Sequence, residues 1–525
     1  MAVERKTGGV SIFEDSTRNR DIIALLIMTE PLRPIIYVRG YAGTQSEVED
    51  TVDDPFYGFN IGSTHIRVDH EGKAEFFAFE SPFVRLITDH QYLDVFDGSL
   101  QKVGECKTPK QTIWIYRFYD PTSKTFDRPG GRRLSIEEAA DGLREFIDDV
   151  LAETKADKIY LLAHSMGGLV CRSLIQKVYP EKGLHASTFV DKFFTYGSPH
   201  GGIHFELGAG VIERVRDLLG VNNADDFGRK RMYQYLTPGK GPKDDPPASF
   251  EQKVMPAEAF DVDRVFCIVG TNAHDYEVAR GLSRSLVGPQ SDGLVQMEHA
   301  YVKGCHRAFI HRSHSGRYGM VNSEEGYQNL QRFLFGDVKV KTVLCDFELN
   351  FESGDRGEVS YQIETEVAIR GLPVLMHERS QTRFSAVSLN QEQFLEQKAK
   401  GGLPLFTSFL MSRNSRNGTM RYMVRLAVFE QRFRRRFLVF GEHIERLPLW
   451  SDHLVIELRA RPAGSDPKYD AFYSWASENR EPETKMDLKV ISPARKDASI
   501  PVPARAQAVL GNSAKIRFEA SGWNE

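Results

Sequence analysis

Ser165 lies in the run Ile159-Tyr160-Leu161-Leu162-Ala163-His164-Ser165-Met166-Gly167-Gly168, with a small residue two places before it and another two places after. A serine presented on a sharp corner between a strand and a helix needs small neighbours at those places, because the backbone is strained and its flanks press together. Ala163 and Gly167 supply them. A lone hydroxyl is a weak nucleophile; it needs a base, and the base needs a carboxylate to orient it. With both in place the chemistry would be attack on an acyl carbonyl. The first N–H groups of the following helix would face the negative charge that develops on the carbonyl oxygen.

For a serine on such a corner the partners come later in the chain, acid before histidine. Downstream stand Asp261, Asp263, Asp275 and Asp292 as acids and His274, His299, His306, His311 and His314 as bases. Asp292, in Ser291-Asp292-Gly293-Leu294-Val295, and His314, in Arg312-Ser313-His314-Ser315-Gly316, are each expected on a loop at the carboxyl end of a strand. Asp261 and Asp263 precede a strand and belong to the opposite edge. Asp275 and His311 remain second choices. An oxyanion takes two preorganised donors. One is the N–H of Met166, next to the serine. Tyr41, in the turn Arg39-Gly40-Tyr41-Ala42-Gly43 after an earlier strand, is best placed for the other. His164 is expected to be structural. His200 and His204 either line a pocket entrance or are ordinary surface histidines.

The elements that must hold these residues alternate. Buried-strand signals fall at Pro34–Val38, Ile113–Phe118, Ile159–Ala163, Thr188–Val190 with Phe193–Tyr196, and Arg264–Val269. Between two of them Ser135 and Glu138 form a capping box ahead of an apolar face of Ile136, Ala140, Leu143, Ile147, Val150 and Leu151. Strands alternating with helices imply a parallel sheet covered on both faces, with sites at the carboxyl ends of its strands. Ile22–Met28 reads equally as strand or helix, and residues 44–110 read as a long connection without a clear period. Residues 203–260 interrupt the alternation; their stripe of Val211, Ile212, Val215, Leu218 and Leu219 suits either a lid helix or a permanently packed one. Residues 324–335 read as a closing helix stopped by Gly336. Beyond it the period falls to two, with strand signals at 359–369, 405–411, 421–429, 433–440, 452–459 and 514–520, so a β-sandwich is expected. The expected division is 1–336, catalytic, with 203–260 inserted, and 337–525, all-β.

Composition sets the outer limits. A chain of 525 residues is long for a single core. Hydrophobic residues at 41% and charged residues at 27% are the mix of a globular chain, and a net charge of −4 offers nothing to nucleic acid. No secretory signal or membrane-spanning run is legible, and five scattered cysteines without a CxxC pair argue against disulfides or zinc. A cytoplasmic location is the expectation, with signal-independent export left open. Arg413, Arg416, Arg421, Arg425, Arg432, Arg434, Arg435 and Arg436 are outward-facing strand residues or a patch for an anionic membrane or a partner. Oligomeric state is not legible.

The run Ala163–Gly168, with Arg39-Gly40-Tyr41 before it and Ser291–Val295 and His314-Ser315-Gly316 after it, resembles the lipase and esterase branch of the α/β-hydrolase fold. Within that branch it is similar to bacterial lipases and to the GPI inositol-deacylase-like and lecithin:cholesterol acyltransferase-like groups, over residues 30–336. The resemblance implies a doubly wound, mostly parallel sheet with a lid insertion. It also implies hydrolysis of carboxylic esters, lipid esters foremost, by Ser165, His314 and Asp292 through an acyl-enzyme without a cofactor. An acyltransferase or amidase would use the same three residues, and a scaffold that only positions the β-rich part is the alternative of another class. Arg39 stands where such lipases commonly carry histidine, and would pair with a nearby acid or receive an anionic headgroup. Ser315 and Gly316 follow the histidine where calcium-binding lipases carry aspartate, so no metal is expected.

Overall fold

The computed structural model describes residues 32–40, 45–95, 110–120, 134–203, 227–275, 288–351, 358–411, 419–435 and 442–524, apart from 55, 60–61, 69, 79, 463–464, 466–468, 479–480 and 493–494. The expected Ile22–Met28 element, Tyr41, His204 and the stripe at 211–219 lie outside these residues.

In chain order the first strands are β1 (Ile35–Val38), β2 (Thr64–Val68), β3 (Ala74–Ala78), β4 (Leu93–Val95), β5 (Thr112–Tyr116), β6 (Ile159–His164), β7 (Val190–Tyr196), β8 (Val265–Gly270) and β9 (His306–Ile310). Seven of them form one sheet in the order β4-β5-β1-β6-β7-β8-β9, and every pairing in it is parallel. The strands at its centre read as unbroken apolar runs because both faces are covered: Ile35–Val38 and Ile159–Ala163 are buried throughout. The helices are α1 (Gln45–Asp53), α2 (Pro82–His90), α3 (Ile136–Thr154), α4 (Gly167–Ser173), α5 (Arg229–Leu236) and α6 (Glu324–Phe335). The Ser135–Glu138 capping box starts α3, as the spacing requires, and Ile136, Ala140, Leu143, Ile147 and Val150 are its buried face. The connection 44–110, expected to be without period, instead holds α1, the β2–β3 hairpin, α2 and β4. Its helices are nine residues each, and among the described residues the hairpin strands pair with each other alone, so no long apolar repeat marks them.

The C-terminal part is antiparallel. It contains β10 (Val338–Cys345), β11 (Glu358–Ile369), β12 (Leu375–Arg379), β13 (Val387–Leu389), β14 (Leu403–Leu410), β15 (Thr419–Arg435), β16 (Glu442–Ala460), β17 (Tyr469–Trp475), β18 (Thr484–Lys485), β19 (Lys489–Ser492), β20 (Arg495–Pro501) and β21 (Lys515–Gly522). One sheet runs β14-β10-β21-β20-β19 and the other β12-β11-β15-β16-β17-β18, with β13 on β11. Val340, Leu344 and Ile516 from the first share a core with Ile363, Val424 and Ile456 from the second. The runs at 421–429 and 433–440, read as two strands, join: a single 17-residue β15 reaches Arg435 and pairs along its length with β16. Of the arginine cluster, Arg421 pairs with Glu457, Arg425 with Glu364 and Glu366, and Arg432 with Glu430, as outward-facing strand residues would.

Helix α6 joins the two parts. Every one of its residues is buried, between the parallel sheet on one side and β12 and β14 on the other. The end of the chain closes the seam. Trp523 packs on Phe333 and Phe409 and donates its indole N–H to the Phe333 carbonyl, while Asn524 donates to the carbonyls of Leu334 and Gly336. These bonds satisfy carbonyls that a helix leaves open at its C-terminus. In the same seam His377 of β12 is buried against Phe309 and Phe406, and burial together with the Arg379 and Arg307 guanidiniums pushes it down to about 3 from 6.5. A histidine held neutral in the fold takes up a proton only on unfolding, so its contribution falls away as pH drops from about 6.5 toward 3. His377→Phe should therefore flatten the acid limb of the stability curve in that window, by at most roughly 1.4 kcal/mol per pH unit for one proton, read from urea unfolding at a series of pH values.

Candidate active site

Strand β6 ends at His164 and α4 begins at Gly167, so Ser165 turns the corner between them with φ of 54°, a left-handed conformation that non-glycine residues rarely adopt. The corner is held from both sides. The Ser165 N–H donates to the Tyr196 carbonyl at 3.0 Å, and the Gly168 N–H returns to the Ser165 carbonyl at 3.0 Å. Three glycines make the fit possible: a Cβ on Gly40 would stand 2.3 Å from that of Ser165, one on Gly167 2.4 Å from the Val38 carbonyl oxygen, and one on Gly168 2.2 Å from Ser198 Oγ. In the first turn of α4 the N–H groups of Leu169 and Val170 both donate to the Met166 carbonyl, at 2.8 and 3.1 Å.

His314 Nε2 lies 2.9 Å from Ser165 Oγ, and His314 Nδ1 lies 2.9 Å from Asp292 Oδ2. All three are buried, at 6%, 2% and 1% exposure, which strengthens each electrostatic contact by excluding water. The other carboxylate oxygen of Asp292 accepts from the N–H groups of Leu294 and Val295, at 3.0 and 2.7 Å, and the Asp292 carbonyl accepts from the His314 N–H at 2.9 Å. With its remaining lone pairs so engaged, Asp292 can turn only one oxygen to the imidazole. That contact sets the tautomer with Nδ1 protonated and Nε2 free to accept from the serine. Gly197 and Gly270 leave room for this, since a Cβ on the first would lie 2.9 Å from Asp292 Oδ2 and on the second 2.7 Å from Asp292 Cβ.

The sequence candidates separate cleanly. Ser165, Asp292 and His314 come together at the carboxyl ends of β6, β8 and β9. Asp263 lies at the opposite edge, paired with Lys339, and Asp261 caps the turn before β8. Asp275 accepts from Asn272, and His311, pushed down to about 4 by burial and by Arg383, meets Thr271. Arg39 donates to the Tyr57 carbonyl beside the corner. His200 is no surface residue: it is fully buried, with Nε2 3.1 Å from Thr195 Oγ1.

Two side chains support His314, His164 in the structural part expected of it and Arg312 without any such expectation. The His164 ring, 4.9 Å from that of His314, hydrogen-bonds through Nε2 to the His314 carbonyl at 3.0 Å; burial, then the neighbouring His314 and Arg39 charges, keep it well below its ordinary pKa and thus neutral. Arg312, two residues before the base, makes a buried pair with Glu325 of α6 at 2.9 Å and donates to the Thr64 carbonyl at 3.1 Å. The pair fixes the His314 loop against α6. Only the apolar context of Arg312 and the acidic first turn of α6 hint at it in the sequence.

Residues 100–225 match the family described as "Putative serine esterase (DUF676)". That segment contains β5, α3, β6, Ser165 and β7, and ends before Asp292 and His314. Among solved structures the chain is similar to a lipase of Bacillus licheniformis, BlEst2 (14% identity, 58% of this chain and 92% of that one, TM-score 0.30). It is also similar to the phospholipase PlaB of Legionella pneumophila (10% identity, 79% and 91%, TM-score 0.31). A sequence search of curated proteins found no match.

Gly40→Ala tests the packing of the corner. The added methyl must push Ser165 aside, and a displacement near 1 Å is expected to cost about 10²-fold in the hydrolysis rate of a small activated ester, with the far-ultraviolet circular dichroism unchanged.

Proposed function

We propose that this protein hydrolyses carboxylic esters, with lipid esters as the substrate class, through an acyl-enzyme on Ser165. The observation that carries the reading is the continuous line Asp292–His314–Ser165, with both contacts at 2.9 Å and water excluded. In this reading Ser165 Oγ attacks the ester carbonyl while His314 Nε2 takes its proton. The tetrahedral oxyanion rests on the N–H groups of Met166 and Tyr41. His314 then protonates the leaving alcohol, and a water activated by the same nitrogen releases the acid; Asp292 stabilises the imidazolium in both halves. Arg39, at the edge of the corner, serves substrates with an anionic headgroup. Residues 1–336 form the catalytic domain and 337–525 an appended β domain.

The lipid preference is supported by the β2–β3 hairpin. It is tied to the His314 loop through Thr64, which donates to the Arg317 carbonyl at 2.8 Å and accepts from Arg312. It exposes Ile66 and Phe76 at 44% and 57%. Apolar side chains presented beside an active site in this way suit a lipid–water interface.

Ser165→Ala should abolish ester hydrolysis, a loss on the order of 10⁶-fold, and Asp292→Asn should lower kcat by about 10⁴-fold with the fold intact. Unchanged activity in Ser165→Ala overturns the reading. Ile66→Glu with Phe76→Glu is expected to reduce rates on long-chain esters in vesicles or micelles at least several-fold while a soluble short-chain ester is turned over as before; equal effects on both would remove the interfacial role.

A further inference from the structure

Tyr119 is buried, three residues beyond the carboxyl end of β5, and its hydroxyl donates to the Gly40 carbonyl at 2.9 Å. Strands β5 and β1 are parallel neighbours, so the turns that follow them lie side by side at the edge of the sheet where Ser165 stands. A buried phenol needs an acceptor, and the one it takes belongs to the turn next to the nucleophile. A Cβ built on Gly40 would stand 2.3 Å from Ser165 Cβ and 3.1 Å from its Oγ, so the peptide unit that leaves Gly40 begins beside that hydroxyl.

The phenol is itself well held. Phe118 lies against its ring, with centroids 4.2 Å apart. The backbone on either side is pinned: the Arg117 guanidinium donates to the Asp120 carboxylate and to the Val52 carbonyl, each at 2.7 Å, and Asp120 also accepts from the Tyr57 hydroxyl. The Tyr57 carbonyl in turn accepts from Arg39, the residue before Gly40. The turns after β1 and β5 are thus tied together through two independent paths, and only the Tyr119 path ends on the Gly40 carbonyl.

A peptide unit is planar, and its carbonyl and N–H point in opposite directions. Holding the Gly40 carbonyl therefore fixes the direction of the N–H in the same unit, which is the donor that the proposed mechanism draws from Tyr41. Glycine lets the planes on either side of it rotate at little cost, so at Gly40 the local chain alone does not hold that direction. A hydrogen bond to the carbonyl also polarises the amide and strengthens its N–H as a donor.

We propose that Tyr119 is a positioning residue for ester hydrolysis, its hydroxyl orienting the Gly40–Tyr41 peptide so that the N–H meets the oxyanion formed on Ser165. This role rests on the acyl-enzyme reading above. Tyr119 acts through the peptide and not on the substrate, and its effect belongs to the transition state, where the ester oxygen becomes an anion, more than to the bound ester. Phenylalanine would keep the packing on Phe118 and lose only the bond.

The test compares an ester with its thiono counterpart, in which sulfur replaces the carbonyl oxygen and accepts hydrogen bonds weakly. In Tyr119→Phe, kcat for the oxygen ester is expected to fall about ten-fold with KM nearly unchanged, a part of the roughly 10²–10³-fold that one oxyanion donor contributes. The thiono ester should slow little, so the oxygen-to-sulfur ratio of kcat/KM drops by the same factor. A tyrosine that only stabilises the fold would slow both esters together and leave the ratio intact. Should Tyr119→Phe fail to fold, Tyr119→Met, which also lacks a donor, replaces it with the same fall expected. Ser165→Ala, measured in parallel, separates the two readings: hydrolysis of the oxygen ester retained there would remove the nucleophile and this role with it. With Ser165→Ala inactive, an unchanged ratio in a folded Tyr119 variant, or a raised KM at constant kcat, would overturn the proposal and leave the nucleophile standing.

Discussion

The backbone of Ser165 is held at a positive φ by neighbours that approach as closely as glycine allows, and the rest of the site is arranged about that strain. Such a conformation costs of order 1–3 kcal/mol and survives only where its surroundings over-determine it. Here they do so through glycines. Gly40, Gly167 and Gly168 bring β1, α4 and the β7 loop within van der Waals contact of the corner, closer than any side chain would allow. Gly197 and Gly270 repeat the device one and two strands away, where the Asp292 and His314 loops must close over the sheet edge. A parallel sheet brings strand ends together at one edge, and glycines let those ends touch.

Orientation is the second constraint. The His314 loop is held at four points: its N–H by the Asp292 carbonyl, its ring by the Asp292 carboxylate, its carbonyl by the His164 ring, and its approach by the Arg312–Glu325 pair. Glu325 belongs to α6, and α6 is also the element on which the C-terminal sheets and Trp523 rest. The base loop and the seam thus share one buried helix. A change in how the β-rich part seats on α6 and on β9 would reach His314 through the Arg312–Glu325 pair and through the strand that leads into its loop.

Much of this was legible in the chain because it depends on local pattern. The unbroken apolar runs at Ile35–Val38 and Ile159–Ala163 could only be strands covered on both faces, and the small-x-Ser-x-Gly spacing placed Ser165 on the corner between strand and helix. The carboxyl-end rule then favoured Asp292 and His314 over Asp263, which indeed lies at the other edge. Features set by distant partners stayed hidden. The burial of His200 and the role of His164 depend on what packs over them, and the continuity of β15 depends on its register with β16, which an arginine-rich stretch does not announce. The Tyr41 donor lies outside the described residues, and so does the apolar stripe at 211–219.

In the proposed mechanism one serine, strained on its corner and coupled to His314, is the nucleophile. Peptide mass mapping after treatment with a fluorophosphonate tests it most directly, because such reagents phosphonylate an activated serine and leave ordinary hydroxyls alone. A single adduct is expected, on Ser165, its formation lost in His314→Ala. A folded protein that takes up no reagent, or takes it up at a different residue, would contradict it.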